Sequence, residues 1–282
     1  MRGGGREDSE TGRTAARPLD VPRASDPRAI PTTDTPLAGR LASSEAGRGV
    51  RRYAVKSLWR TLQGEGVWAG RPAVFVRFVG CNMWTGYAAD RARDAARGPA
   101  CAAFCDTDFT KEGSVRLTAT DLAREAARVA AAGGGDPIDF VVLTGGEPLL
   151  QADAALVDAL HAVGLEVAVE TNGTVRLADA FGAPDTWPDW IVCSPKLPAE
   201  QTVLEALDEL KLVVPAYRPA PYAAVADRVR PHPIGGRERR ALWLQPEDGP
   251  RLAAATRLAV ELAQETAGWR VSVQTHKVLG VE

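Results

Sequence analysis

Cysteine is scarce, with four residues in a chain of 282. The first residues lack the apolar core of a signal peptide, so the chain is not expected to carry a disulfide framework. A metal site, or free thiols in a reducing cytosol, fits better, and a cytoplasmic location is expected. No apolar run approaches the roughly 18 residues that a membrane span needs. A formal net charge of −2 leaves no overall basic field, so composition gives no support for nucleic-acid binding. Histidine is rarer still, with three residues, and no repeat of fixed period is present. What remains is ordinary for a soluble globular protein, 45% hydrophobic and 25% charged. The length suffices for one large domain or two small ones with a sizeable core.

Residues 1–50 are rich in Arg, Gly, Pro, Ser and Thr, with acids such as Glu7, Glu10 and Asp20 interleaved. Such a segment cannot bury enough apolar surface to offset its ordering entropy, so a disordered extension is expected there. Residues 51–282 then form the folded domain. Order begins near Tyr53, and Gln63-Gly64-Glu65-Gly66 reads as a turn. Ala73 to Val79 reads as a strand with Arg77 inside it. That arginine either lies on a face open to solvent or aims its planar fork at a carboxylate ligand.

Beyond the cysteines, Thr118 to Ala132 reads as a helix, opened by a capping box at Thr118 and Asp121 and stopped by three glycines. Strands are expected at 138–143, 165–169, 190–193, 209–214, 241–244 and 269–275, and helices at 151–163, 200–207 and 250–266. This β–α alternation predicts a parallel sheet with helical crossovers, with functional motifs at the strands' C-terminal ends. About six such units are too few for an eight-fold barrel, so a partial barrel or an open curved sheet is expected.

The organising stretch runs from Cys81 to Phe109. Nineteen residues separate Cys81 from Cys101, and three separate Cys101 from Cys105. These thiols suit zinc with a fourth ligand elsewhere, Cys193 being one candidate, or an iron–sulfur cluster with one iron left open. In Gly145-Gly146-Glu147-Pro148 the glycines allow close backbone approach to a ligand, and the carboxylate suits an ammonium group.

Together these stretches resemble the radical S-adenosylmethionine enzymes, and within them the 7-carboxy-7-deazaguanine synthase family. The likeness rests on L-Q-G-E-G at Leu62, R-F-V-G-C-N at Arg77, F-C-D-T-D-F at Phe104 and T-G-G-E-P at Thr144. It continues through E-T-N-G-T at Glu170, S-P-K at Ser194, Q-P at Gln245 and Q-T-H-K at Gln274. The resemblance implies a partial (β/α)6-type barrel carrying a 4Fe–4S cluster on Cys81, Cys101 and Cys105, with S-adenosylmethionine on the open iron. The implied reaction is radical ring contraction of 6-carboxy-5,6,7,8-tetrahydropterin to 7-carboxy-7-deazaguanine, with loss of ammonia. It places Phe104, Cys105, Asp106, Gly146, Glu147, Ser194, Pro195, Lys196, Gln245, Pro246, Glu247 and Asp248 around the cofactor. Leu62, Gln63, Gly64, Glu65, Arg77, Thr144, His276 and Glu282 would hold the substrate, and Thr107 a Mg²⁺ ion. A reducing flavodoxin or ferredoxin and a homodimer are the implied partners.

The chain departs from the usual C-x-x-x-C-x-x-C loop. Its longer first gap, expected to be a flexible polar insert over Tyr87 to Pro99, can absorb the change because closure entropy grows slowly with length. His276 reads either as a solvated loop residue or as a hydrogen-bonding group for the pterin. Glu170 and Asn172 read as ribose or pterin contacts, or as turn residues. Two other functions share parts of the pattern: an activase that abstracts hydrogen from a partner protein, and a non-catalytic zinc-stabilised binding protein.

Overall fold

The computed structural model describes residues 49–133 and 135–281. The extension expected over 1–50 therefore lies outside the described residues as far as residue 48, and so does Glu282. The chain opens with strands β1 (Tyr53–Leu62) and β2 (Pro72–Phe78), helix α1 (Arg91–Ala95) and strand β3 (Val115–Leu117). Alternation follows through α2 (Ala119–Ala130), β4 (Phe140–Gly145), α3 (Ala154–His161), β5 (Glu166–Thr171), α4 (Leu177–Phe181) and β6 (Trp190–Cys193). Next come β7 (Glu209–Val214), α5 (Ala223–Ala226) and the strands β8 (Pro231–Ile234) and β9 (Arg237–Pro246). Helix α6 (Leu252–Glu265), strand β10 (Trp269–Val271) and helix α7 (Thr275–Leu279) complete it.

Among the described residues the strands form one ten-stranded sheet, in the order β10-β9-β7-β6-β5-β4-β2-β1-β3, with β8 beside β9. From β2 through β4, β5, β6, β7 and β9 to β10 each neighbouring pair is parallel. The parallel expectation fails at β1, which is antiparallel to both β2 and β3. The short connection from Leu62 to Pro72 suits a hairpin and is too short for a helical crossover.

The parallel strands read as apolar runs because both faces are covered. Phe140, Val141, Val142 and Leu143 of β4 and Val167, Ala168 and Val169 of β5 are all buried. Helices α2 and α3 cover one face with Leu122, Ala126, Leu156 and Leu160; each buried leucine contributes about 2 kcal/mol. Thr118 caps α2 by accepting from Asp121 N at 3.2 Å, the first half of a capping box, while its hydroxyl rather than its backbone N–H donates to that carboxylate, at 2.8 Å. Asp153 caps α3 and also accepts from Tyr53 Oη at 2.6 Å, which fastens the start of β1.

Three expectations need correction. The helix predicted at 200–207 is a short 3-10 turn, Ala199–Gln201, followed by extended chain. Val203 N donates to Gly173 O at 2.8 Å, and Arg228 occupies the carbonyls of Thr202 and Leu204, so the groups a helix would use are already engaged. The strand predicted to reach Thr275 stops at Val271, and Thr275 instead opens α7. The insert after Cys81 is folded: it holds the 3-10 turn Ala88–Asp90 and helix α1. Asp94 is buried within it and accepts from Thr85 N at 3.0 Å and Arg93 Nε at 2.9 Å.

Among the described residues no helix is long and apolar enough to cross a membrane.

Glu209 opens β7 as a buried carboxylate that accepts from Trp190 Nε1 at 2.7 Å and Val67 N at 2.9 Å. Burial pushes its carboxyl up to about 7, against the opposing pull of those donors. A raised acid binds its proton more tightly when folded. Its stabilisation is therefore complete below the ordinary carboxyl range and is lost as pH rises through about 7. We expect Glu209→Gln to lose less melting temperature than the parent between about pH 5 and pH 8; parallel curves would refute this.

Candidate active site

Each wall of the site begins where a strand ends. Past β2, Gly80 donates its N–H to Phe109 O at 2.9 Å, while its carbonyl accepts Glu147 N at 2.9 Å. Cys81 thus leaves the sheet from a backbone pinned on two sides. Cys101 lies in the 3-10 turn Ala100–Ala103, and Cys105 N closes back onto Cys101 O at 2.8 Å. Arg91 of α1 donates to Ala102 O at 2.6 Å and Cys105 O at 3.0 Å, with its guanidinium 4.5 Å from the Trp84 ring centroid. Trp84 stands edge-on to Phe109 at 5.5 Å, and with Ala102 they form a small core of their own beneath the cysteines.

Cys81, Cys101 and Cys105 line one cavity of about 210 Å³. Around them stand Phe104, Asp106, Thr107, Gly146, Ser194, Lys196, Gln245, Pro246, Glu247 and Asp248, each named from the sequence. Pro195 does not join them; its neighbours Ser194 and Lys196 do. Burial pushes the Cys101 thiol up to about 11 and raises Cys81 as well, so a metal binding there must displace protons. Lys196 Nζ donates to Ser194 O at 2.7 Å and Oγ at 2.5 Å, while burial pushes its ammonium pKa down. Lys277 bridges Asp106 at 2.6 Å and Asp248 at 2.8 Å across the rim.

Glu147 is not part of the lining. It is fully buried, accepting from Thr171 Oγ1 at 2.7 Å, Leu149 N at 3.0 Å and Asn172 N at 2.7 Å. Those nearby donors turn the carboxylate into the wall, where it joins the ends of β4 and β5. The glycines before it serve close backbone packing. A Cβ at Gly146 would stand 2.0 Å from Gly80 O and 2.9 Å from Cys81 Cβ.

A second cavity of about 350 Å³ adjoins the first. Leu62, Gln63, Gly64, Glu65, Arg77, Thr144 and His276, all named from the sequence, line it together with Trp59 and Phe75. Those two rings lie 5.5 Å apart, and the Arg77 guanidinium sits 4.6 Å from the Trp59 centroid. Gly64 lets His276 in: a Cβ there would be 1.8 Å from His276 Nδ1. Burial lowers the His276 pKa, so the ring is neutral near physiological pH. Glu65, Asp106, Thr107, Thr144, Glu170, Gln274 and Lys277 line both cavities, and so form their common wall.

Three soft thiols on one cavity wall match the donor set of an iron–sulfur cluster with one open iron. Among the described residues, no group of three or more His, Cys, Asp or Glu side chains is gathered to hold a single metal ion.

No family model matches the chain. It is 47% identical over 231 residues to the 7-carboxy-7-deazaguanine synthase of Bordetella pertussis, covering 81% of this chain and 99% of the relative. To the enzyme of the same name from Bradyrhizobium diazoefficiens it is 44% identical over 233 residues, with 81% and 99% covered. The chain belongs to the 7-carboxy-7-deazaguanine synthase family. Its fold is similar to the crystal structure of QueE from Escherichia coli, with a TM-score of 0.52 at 26% identity, over 79% of this chain and 93% of that one. Membership in this synthase family does not favour the activase and zinc-protein readings.

Cys193 is buried at the end of β6 and lines neither cavity, so the fourth thiol belongs to the core. Sequence reasoning missed Lys211, a buried lysine lining the first cavity, and the rings of Trp59, Phe75 and Trp84. A charged pair at 209 and 211 inside an apolar strand was the available signal for Lys211.

Gly146→Ala must push Cys81 or the Gly80 carbonyl aside. We expect the metal-free protein to lose about 1–3 kcal/mol of stability, measured by denaturant unfolding; unchanged stability would show that the loop gives way freely.

Proposed function

We propose that the chain contracts the ring of 6-carboxy-5,6,7,8-tetrahydropterin to 7-carboxy-7-deazaguanine with loss of ammonia. The observation that carries this reading is the pair of adjoining cavities, one lined by three thiols and the other by an aromatic wall with a guanidinium. Trp59 and Phe75 suit a flat bicyclic ligand, Arg77 its carboxylate, and Glu170 its N–H edge.

Cys81, Cys101 and Cys105 would hold a 4Fe–4S cluster, with Phe104, Ser194, Lys196 and Gln245 to Asp248 around S-adenosylmethionine. When bound, this pair supplies a hydrogen-abstracting 5′-deoxyadenosyl radical. The chain's own residues bind, orient and exclude water. Thr107, on the common wall, would offer its hydroxyl to Mg²⁺, which commonly takes few protein oxygens. The sheet is read as a partial barrel of the radical S-adenosylmethionine kind, a reading supported by the loop after β1, which reaches β7, β9 and Ser272 just past β10. A reducing flavodoxin or ferredoxin is the proposed electron source, the cytoplasm the location and a homodimer the assembly.

Anaerobic reconstitution with iron and sulfide, followed by incubation with S-adenosylmethionine, Mg²⁺, the carboxypterin and reduced flavodoxin as electron donor, should yield both 5′-deoxyadenosine and 7-carboxy-7-deazaguanine on chromatography. Cys101→Ala should lose the cluster's iron and both products. A variant that keeps cluster and cofactor cleavage would sink the assignment.

A further inference from the structure

Lys211 occupies the middle of β7, a six-residue strand buried throughout, and its side chain is 6% exposed. Its ammonium pairs with Glu65, whose side chain is 13% exposed, and also feels the negative charge of Glu170. The other oxygen of Glu65 accepts both Gln245 Nε2 and Gln274 Nε2, each at 2.9 Å. Those three donors take three of the carboxylate's roughly four acceptor sites, so Glu65 has little capacity left to bind a ligand directly.

What the carboxylate does is hold its neighbours. Gln274 lines both cavities and leads into α7, which carries His276 and Lys277. The same loop fixes the start of α7, because Thr275 donates to Gly64 O from its N–H at 2.8 Å and its hydroxyl at 3.0 Å. Removing Lys211 would leave Glu65 as an uncompensated charge at low dielectric, which drives the carboxylate out toward water and so releases the glutamines.

We propose that Lys211 is a positioning residue: through Glu65 it fixes Gln274 and α7 at the junction, and thereby sets the substrate cavity in register with the cofactor cavity. The catalytic consequence rests on the ring-contraction reading; the structural one does not.

The test compares Lys211→Met with the double variant Lys211→Met/Glu65→Gln, which buries no unpaired charge. In metal-free protein, amide exchange over residues 274–279 should quicken about tenfold in Lys211→Met and return towards the parent rate in the double variant. In reconstituted enzyme, Lys211→Met should keep its iron, since the three cysteines are untouched. Its ratio of 5′-deoxyadenosine to 7-carboxy-7-deazaguanine should rise about tenfold or more, as a small misplacement would cause. Parent-like exchange and a parent-like ratio in Lys211→Met would overturn the proposal. So would a double variant with the parent's melting temperature but no recovery. Should Lys211→Met not fold, Lys211→Arg serves: its bulkier head displaces Glu65, so a raised ratio is expected and a parent ratio overturns. If the parent cleaves cofactor but forms no deazaguanine, the function reading falls while the exchange measurement still decides this one.

Discussion

A carboxylate and an ammonium withdrawn from water, Glu65 and Lys211, tie the loop after β1 to a strand five positions away in the sheet order. Each charge alone would be too costly to bury, so the two must stay together. Their contact draws in further anchors from the same loop: Gly66 N donates to Ser272 Oγ at 3.2 Å and Val67 N to Glu209 at 2.9 Å. The loop therefore gathers groups from β7, β9 and the segment after β10 onto β1. Replacing a buried ion pair with apolar groups often costs little stability. The value of this one lies in where it puts its neighbours.

Much of the site was legible because its parts are local. T-G-G-E-P, E-T-N-G, S-P-K and Q-P-E-D each follow an apolar run, and β4, β5, β6 and β9 end at or within one of these motifs. That pattern is set by short-range chemistry: apolar residues seek cover on both faces, and a polar glycine turn ends the strand. The antiparallel β1 was missed although its one mark was present: the connection from Leu62 to Pro72 is too short for a helical crossover. The failed helix at 200–207 had a plausible period but lost its backbone groups to Gly173 and Arg228, which lie far away in sequence.

Side-chain direction was harder to read than position. Glu147 sits where its motif puts it, yet donors from Thr171 and Asn172 turn it away from the cavity. Lys211 looked like an interruption in an apolar strand, and its purpose emerges only when Glu65 arrives from 146 residues earlier. The four thiols divide the same way. Cys81, Cys101 and Cys105 face one space, whereas Cys193 faces the packing behind Gly173, where an added Cβ would meet its sulfur at 2.7 Å.

The long gap between the first two cysteines is bridged by an arginine. Arg91 reaches forward to the carbonyls of Ala102 and Cys105, so the shape of the second cysteine turn is enforced from within the gap. Anyone grafting this loop onto another scaffold, or trimming it toward the shorter natural spacing, would have to carry that guanidinium along or supply equivalent donors. Gap length is the negotiable part of the design, and the brace inside it is what must be transplanted.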